Sequence, residues 1–532
     1  MRAFFSFLSC LALAGCAGSA SDGASAGDEM INAANVAPAG EPASGEPATS
    51  SSDVVSCRAI GTSDVDLAIA TDDGEGILTV EAQAQSKTSW AEAGNEAVVL
   101  DVSKDGKRVG NLVLHQGADT FAYTMHTGAL KKGDRLTVKV SSLTAKNAPK
   151  SACIASSKIT AAPANMIEGL ANAPILKWPA AKAFNDLPVL SGWSRKGKAY
   201  QVVYTNEDGG TVSLCGGGAE GMRSEIARWG RGVDIEGAYS YGGGPKFQRC
   251  GGADVKPRME GAHPVLYYGN GHNNLFESRG GYGQACGTKA DAKSNGDLEG
   301  WNKSNPGNEE AKDEAFTIVL RPAPVDLDAI GYAERHGRRE AIVDVYAPWL
   351  YRVLDSELKR EKRVDNDKVF SMERYLYVDV YANDVGGSGD ETCGPISLLP
   401  GLHNVNGGFR IRAIARDGTV SDGPQMTKDY FGGDGVKRVA VPLKAGVKAS
   451  DIVKITFDAY DGDGIYFLGI GDAFVPRATG TNSAALDYVH QGEVKRADVY
   501  VDDNDDGCTN GTNTAKDGRK FPCVGSAFTL AL

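Results

Sequence analysis

Between residues 57 and 153 the chain alternates apolar and polar side chains in short runs: "VDLAIAT", "GILTVEAQAQ", "AVVLDVS", "NLVLHQ", "TFAYTMH" and "DRLTVKVSS". A period of two sends successive side chains to opposite faces, so each run predicts a strand with one face on a core. "SKDGKR" joins two of these runs, and Asp105-Gly106 suits a tight hairpin because both residue types tolerate positive φ. Roughly six or seven strands in about a hundred residues predict an immunoglobulin-like β-sandwich over 54–153. Residues 154–174 read as a linker with some helical potential. The next unit, 175–400, reads as β-rich. "AYQVVYTNEDGGTVSLC" predicts a hairpin, and "EIARWGRGVDIEGAYSY", "HPVLYYGNGHNNLF" and "FTIVLRP" predict strands. One clear amphipathic helix is predicted near 348–363. Leu350, Leu354 and Leu358 recur at four-residue steps beside Val353, Pro348 suits the first turn, and Lys359, Arg360, Lys362 and Arg363 gather at the C-terminal end. Its charged face is expected to meet solvent. Strand patterns return from about Tyr375, and 401–532 is expected to form a jelly-roll-like β-sandwich with acidic loops. The fold class is mainly β and multidomain.

The amino-terminal pattern is different. "FFSFLSCLALAG" follows Arg2 and is too short to span a bilayer as a helix. It ends in "LAGC", Leu13-Ala14-Gly15-Cys16, which resembles the bacterial lipoprotein signal. That resemblance implies removal of residues 1–15, diacylation of the Cys16 thiol and acylation of the new amino terminus, palmitate included. An ordinary secretory signal with a chance cysteine is the alternative. Several acyl chains anchor durably, because each buried CH₂ contributes about 0.8 kcal/mol. Ala17, not aspartate, follows, which in a Gram-negative cell implies the outer membrane. Residues 16–53 are Ala, Ser, Gly, Glu and Pro with few large apolar side chains. Such a stretch cannot offset its own ordering entropy, so a disordered stalk is expected.

Composition narrows the class of partner. The chain has 532 residues and a net charge of −12, which excludes nucleic acid as an expected partner. Its 67 glycines agree with a loop-rich β architecture. Of ten cysteines, Cys10 leaves with the signal and Cys16 takes lipid. The remainder suggest disulfides in an exported chain, although eight cysteines allow about 105 pairings. Segment order favours Cys57–Cys153 closing the first module and Cys508–Cys523 closing the tail, with Cys215–Cys250 and Cys286–Cys393 as weaker pairings.

Candidate chemistry falls in three places. In "YVDDNDDGCTNGT", counting Asp502 as position 1 puts Asn504 at 3, Asp506 at 5 and Gly507 at 6, which is the first half of a calcium loop. The carbonyl of Cys508 would occupy position 7. Asn513, not glutamate, stands at position 12, so an EF-hand is excluded and a solvated turn is the alternative. Repulsion among Asp502, Asp503, Asp505 and Asp506 favours a cation. Asp458, Asp461 and Asp463 before Gly464 form a weaker calcium candidate. The third place is a polar set in the middle unit. Asp234 and Glu236 share a strand face at i, i+2, and with His263 and His272 they offer a metal-dependent or acid–base site. Its bland counterpart is ion pairing of Asp234 or Glu236 with Arg228 or Arg231. "AYSYGGG" and "VLYYGNG" supply either a sugar-stacking platform or core aromatics. "GGGAEG" fits G-x-G-x-x-G by composition only, and neither H-E-x-x-H, G-x-S-x-G nor a Walker loop occurs.

"NEDGGT", "RWGRGVDIE", "HPVLYYGNGHNN" and "PWLYRV" resemble an uncharacterised group of bacterial exported proteins over roughly 174–381, which implies a shared fold and no known activity. The acidic pair and the "HPVxY…GH" pattern are loosely similar to necrosis-inducing and vacuolar-sorting-like β-sandwiches, which implies a metal near the acidic pair. The chain lacks their "HDWE" core. The expected function is therefore a lipid-anchored surface protein of binding or structural type, with a glycan as the possible ligand and calcium as a structural ion. The rival is a metal-dependent hydrolase built on Asp234, Glu236, His263 and His272.

Overall fold

A computed structural model describes residues 57–532 except 87, 180–186, 207–232, 242–257, 269–274, 277–316, 331–340, 361–370, 384–407, 428–435, 461–463, 481, 505–506 and 516–517. Cys16, Cys215, Cys250, His272, Cys286, Cys393, Asp461, Asp463 and Asp506 lie outside the described residues.

The first module holds strands β1 (Arg58–Ile60), β2 (Val65–Ile69), β3 (Gly74–Ala84), β4 (Val98–Lys104), β5 (Lys107–Leu114), β6 (Phe121–Leu130), β7 (Arg135–Val140) and β8 (Ala152–Ala161). They form two four-stranded antiparallel sheets, ordered β1-β8-β3-β6 and β2-β7-β4-β5. Alternation in β3 sends Leu78, Val80 and Ala82 inward, all fully buried. The β4–β5 hairpin turns at Asp105 (φ 50°) and Gly106 (φ 73°), where the positive φ explains the Asp-Gly pair. Cys57 and Cys153 form a disulfide beside the β1–β8 pairing, with Cα atoms 5.6 Å apart. The strand β8 continues past Cys153 into the expected linker, which then forms the short helix α1 (Ile167–Ala171).

The middle module contains β9 (Ile175–Pro179), β10 (Pro188–Ser194), β11 (Ala199–Tyr204), β12 (Ile235–Ser240), β13 (Arg258–Glu260), β14 (His263–Tyr268), β15 (Leu275–Phe276), β16 (Thr317–Leu320) and β17 (Pro324–Asp326), then helices α2 (Ala341–Tyr346) and α3 (Leu350–Arg360). One sheet runs β12-β11-β10-β17. The other runs β13-β14-β9-β16, with β15 also on β14. The pairs β10–β17 and β14–β9 are parallel. Helix α3 buries Leu350, Val353, Leu354 and Leu358, as their spacing requires. Its charged face meets solvent only in part: Lys359 is exposed, but the acidic residues are not. Asp355 is 1% exposed and Glu357 is fully buried. Arg352 and Lys359 hold Asp355 at 3.1 and 2.7 Å, while Arg360 holds Glu357 at 3.1 Å and lies 3.6 Å from Glu96 of the first module. The helix is therefore buried beyond its apolar side, and ion pairs offset the cost of burying Asp355 and Glu357.

The last module comprises β18 (Tyr375–Asn383), β19 (Gly408–Ala415), β20 (Val420–Thr427), β21 (Val436–Pro442), β22 (Ile452–Tyr460), β23 (Ile465–Ala478), β24 (Ala484–His490), β25 (Lys495–Val501), β26 (Thr512–Thr514), β27 (Lys520–Pro522) and β28 (Ala527–Ala531). Its sheets are β21-β18-β23-β24, with β25 on β23, and β20-β19-β22-β28; β26 and β27 pair by themselves. Phe409, Ile411, Phe457 and Phe467 fill the space between the two larger sheets. Cys508 and Cys523 form the tail disulfide, with Cα atoms 6.4 Å apart.

The architecture is mainly β, with several antiparallel sheets and few helices. One apolar cluster joins all three modules. It includes Trp90 and Val99 of the first, Trp193 and Leu354 of the middle, and Tyr377 and Phe474 of the last. Among the described residues, no helix is long and apolar enough to cross a membrane.

Candidate functional site

Strands β5 and β6 are edges of the two sheets of the first module, and β16 is an edge of its sheet in the middle module. A bare edge is a row of unpaired N–H and C=O groups that must be covered. Here the edges cover one another. The His126 N–H donates to the Arg321 carbonyl at 2.8 Å, and the Val319 N–H donates to Asn111 Oδ1 at 2.8 Å. Arg321 Nε donates to the Val109 carbonyl at 2.6 Å.

Three ligand-bearing side chains meet at this seam. Glu75 enters from β3, His126 from β6 and His263 from the start of β14. One donor atom from each lies within 4.8 Å of the others. Glu75 Oε1 meets His263 Nε2, and His126 Nδ1 lies 3.9 Å from the same oxygen. The imidazoles stack with centroids 4.4 Å apart and planes 26° apart. Their remaining nitrogens point to consecutive backbone carbonyls ahead of β9. His263 Nδ1 is 2.7 Å from the Ala173 oxygen, and His126 Nε2 is 3.4 Å from the Pro174 oxygen. A carbonyl can only accept, so each of those nitrogens carries hydrogen. His126 Nδ1 then presents a lone pair, and it is buried with no hydrogen-bond partner. Burial, and after it the His263 and Arg321 charges, holds His126 well below the usual imidazole range. Arg321 is lowered chiefly by burial, against the carboxylates of Glu260, 3.0 Å away, and Glu75.

Of the expected acid–base set, His272 lies outside the described residues, and His263 belongs to a cluster with Glu75 and His126. Asp234 is buried just before β12, where its carbonyl accepts the Tyr204 N–H at 2.9 Å. Neither Asp234 nor Glu236 is free of partners. Of the weaker calcium candidates, Asp458 is buried and shared by Arg410 and Arg412. Of the tyrosines read as either a sugar platform or core aromatics, Tyr239 belongs to the apolar core, and Tyr241, packed against that core, accepts a hydrogen bond from Trp193 Nε1 at 3.1 Å.

In the tail, the Asp502 carboxylate is buried and accepts the N–H groups of Asn504 and Gly507, each at 3.2 Å. Asn513 closes the same loop differently from a calcium-binding glutamate. Its amide donates to the Gly507 carbonyl at 2.6 Å, and its oxygen accepts from the Tyr466 hydroxyl. Gly507 is required beside Tyr500, whose hydroxyl would stand 2.6 Å from a Cβ at that position.

Glu75 and His126 escape a motif search because they are far from His263 in sequence; His263 and Glu75 are 188 residues apart. Pattern offers one signal. Met125, His126, Thr127 and Gly128 are buried in succession, so β6 departs from its alternation where the second module covers its outer face.

No protein-family model matches the chain, and no curated protein matches it. Among solved structures, the chain is similar to the C-terminal domain of EclA, described as a sugar-binding protein, at 19% identity over 23% of this chain and 87% of that chain. The TM-score is 0.16, too low to carry an argument about fold or function.

Proposed function

We propose that the chain is an exported β protein, anchored in the outer membrane through acylated Cys16 and held off it by residues 17–53, that binds a surface ligand and does not transform it. The observation that carries this proposal is the fate of His263. It is the one described histidine of the expected acid–base set, and it is only 4% exposed and committed to Glu75 and the Ala173 carbonyl. A general acid or base needs a face open to substrate. The described carboxylates also serve the fold: Asp458 joins β19 to β22, and Asp502 caps its own loop. Strands fused into a rigid scaffold leave binding to the loops at their ends. The ligand class is a glycan. Calcium is the structural ion, held by Asp502, Asn504, Asp506 and the Cys508 carbonyl, since a carboxylate that accepts two N–H bonds keeps further lone pairs.

A glycan array probed with the full-length chain, with calcium and with chelator, tests this function. Binding to a defined glycan set, stronger with calcium, is expected. An array silent in both conditions contradicts the ligand class.

A further inference from the structure

We propose that Glu75, His126 and His263 form a structural site for one divalent transition-metal ion of the zinc class, which staples the first module to the middle one. This stands independently of the glycan proposal, because it rests on the geometry of the seam.

The donor set selects the metal. Two imidazole nitrogens and one carboxylate oxygen suit zinc and its neighbours, whereas calcium and magnesium take oxygen alone. The donor separations are compatible with it. Metal–ligand bonds of about 2.0–2.1 Å place tetrahedral ligands roughly 3.3 Å apart. His126 Nδ1 and Glu75 Oε1 stand 3.9 Å apart, so small side-chain rotations close the set. The outer contacts have the form that metal-bound histidines require. Each ring gives its far N–H to a carbonyl, Ala173 for one and Pro174 for the other, which fixes the tautomer and aims the second nitrogen inward.

A second observation points the same way. His126 Nδ1 is unpartnered although its side chain is fully buried. An acceptor left bare in the interior is destabilising, and a cation between it and Glu75 removes that cost. Enclosure makes the site structural: the Glu75, His126 and His263 side chains are 18%, 0% and 6% exposed. Glu75 and His126 come from two paired strands of one sheet and His263 from another module, so a bound ion ties together elements that no disulfide in the described residues joins.

The full-length chain, stripped with chelator and then titrated with zinc and with cobalt(II), tests the site. One equivalent of zinc is expected to bind and raise the unfolding temperature. Cobalt is expected to give visible bands of a four-coordinate nitrogen–oxygen site without thiolate charge transfer. Glu75→Gln and His126→Gln are each expected to weaken zinc binding at least tenfold, while Glu81→Gln, on the exposed side of the same strand, leaves it unchanged. Should His126→Gln fail to fold, Glu75→Gln decides, since it keeps the shape at the most exposed of the three positions. The proposal is overturned by an unaltered chain that binds no stoichiometric zinc, by thiolate bands in the cobalt spectrum, or by undiminished affinity in Glu75→Gln.

Discussion

His115 illustrates how a single residue couples this fold to pH. It lies at the start of the β5–β6 connection, stacked on Trp349 with centroids 4.0 Å apart and planes 10° apart. Its carbonyl accepts from Trp90 Nε1 at 3.1 Å and from Asn482 Nδ2 at 2.9 Å, so side chains of two modules converge on one backbone oxygen. Burial pulls the imidazole down to about 3 from an ordinary 6.5. Below pH 6.5 the unfolded chain binds a proton that the folded chain refuses until about pH 3. Stability from this residue is thus complete above 6.5 and falls by about 1.4 kcal/mol per pH unit below it. His115→Phe keeps the stack and removes the proton site. Denaturant unfolding at pH 7 and pH 5 is expected to show the variant losing about 2 kcal/mol less than the parent between the two; an equal loss contradicts a buried neutral imidazole. The sequence shows His115 only as the polar end of the run "NLVLHQ". Alternation assigns a side chain to a face, but it does not say which outer faces a later module will cover. The same limit hid Glu75 and His126, both on the face of their sheet that β14 and the segment ahead of β9 overlie.

At the scale of elements, the helix pattern fixed the core side of α3 and missed its other side. Leu350, Leu354 and Leu358 were legible because they satisfy helical spacing, whereas the burial of Asp355 and Glu357 depends on partners such as Trp90 and Glu96, far upstream. The neighbouring junction between α2, α3 and the last sandwich is more polar still. Arg438 on β21 donates to both oxygens of Asp344 on α2, at 2.9 and 2.7 Å, and through Nε to Asp379 on β18 at 2.9 Å. The Tyr351 hydroxyl donates to Asp344 at 3.0 Å, and Arg438 lies over the Phe474 ring at 5.0 Å. All three ionic side chains are almost wholly buried. Removing one partner of such a set leaves uncompensated charge and costs about 3–5 kcal/mol. Arg438→Met is expected to lose that much in chemical denaturation of the full-length chain. Adding Asp344→Asn and Asp379→Asn is expected to restore part of it, because the stranded charges are then gone. A single variant within 1 kcal/mol of the parent, roughly the worth of an exposed pair, contradicts the buried network.

For the whole molecule, the strand-rich class and the Cys57–Cys153 and Cys508–Cys523 pairs were legible, since both follow from local alternation and segment order. The fusion of the modules was not. Each module can be recognised from its own strands, but the edges β5, β6 and β16, the stack of Trp349 on His115 and the Arg438 cluster are contacts between modules that leave no periodic trace. They make Ser56–Leu532 one contact unit, threaded by an apolar cluster from Trp90 to Phe474. A fused body should unfold as one. Differential scanning calorimetry of the full-length chain with its disulfides intact measures this most directly. A single transition, with calorimetric and van't Hoff enthalpies equal, is predicted; separate transitions for the first, middle and last modules would contradict the account.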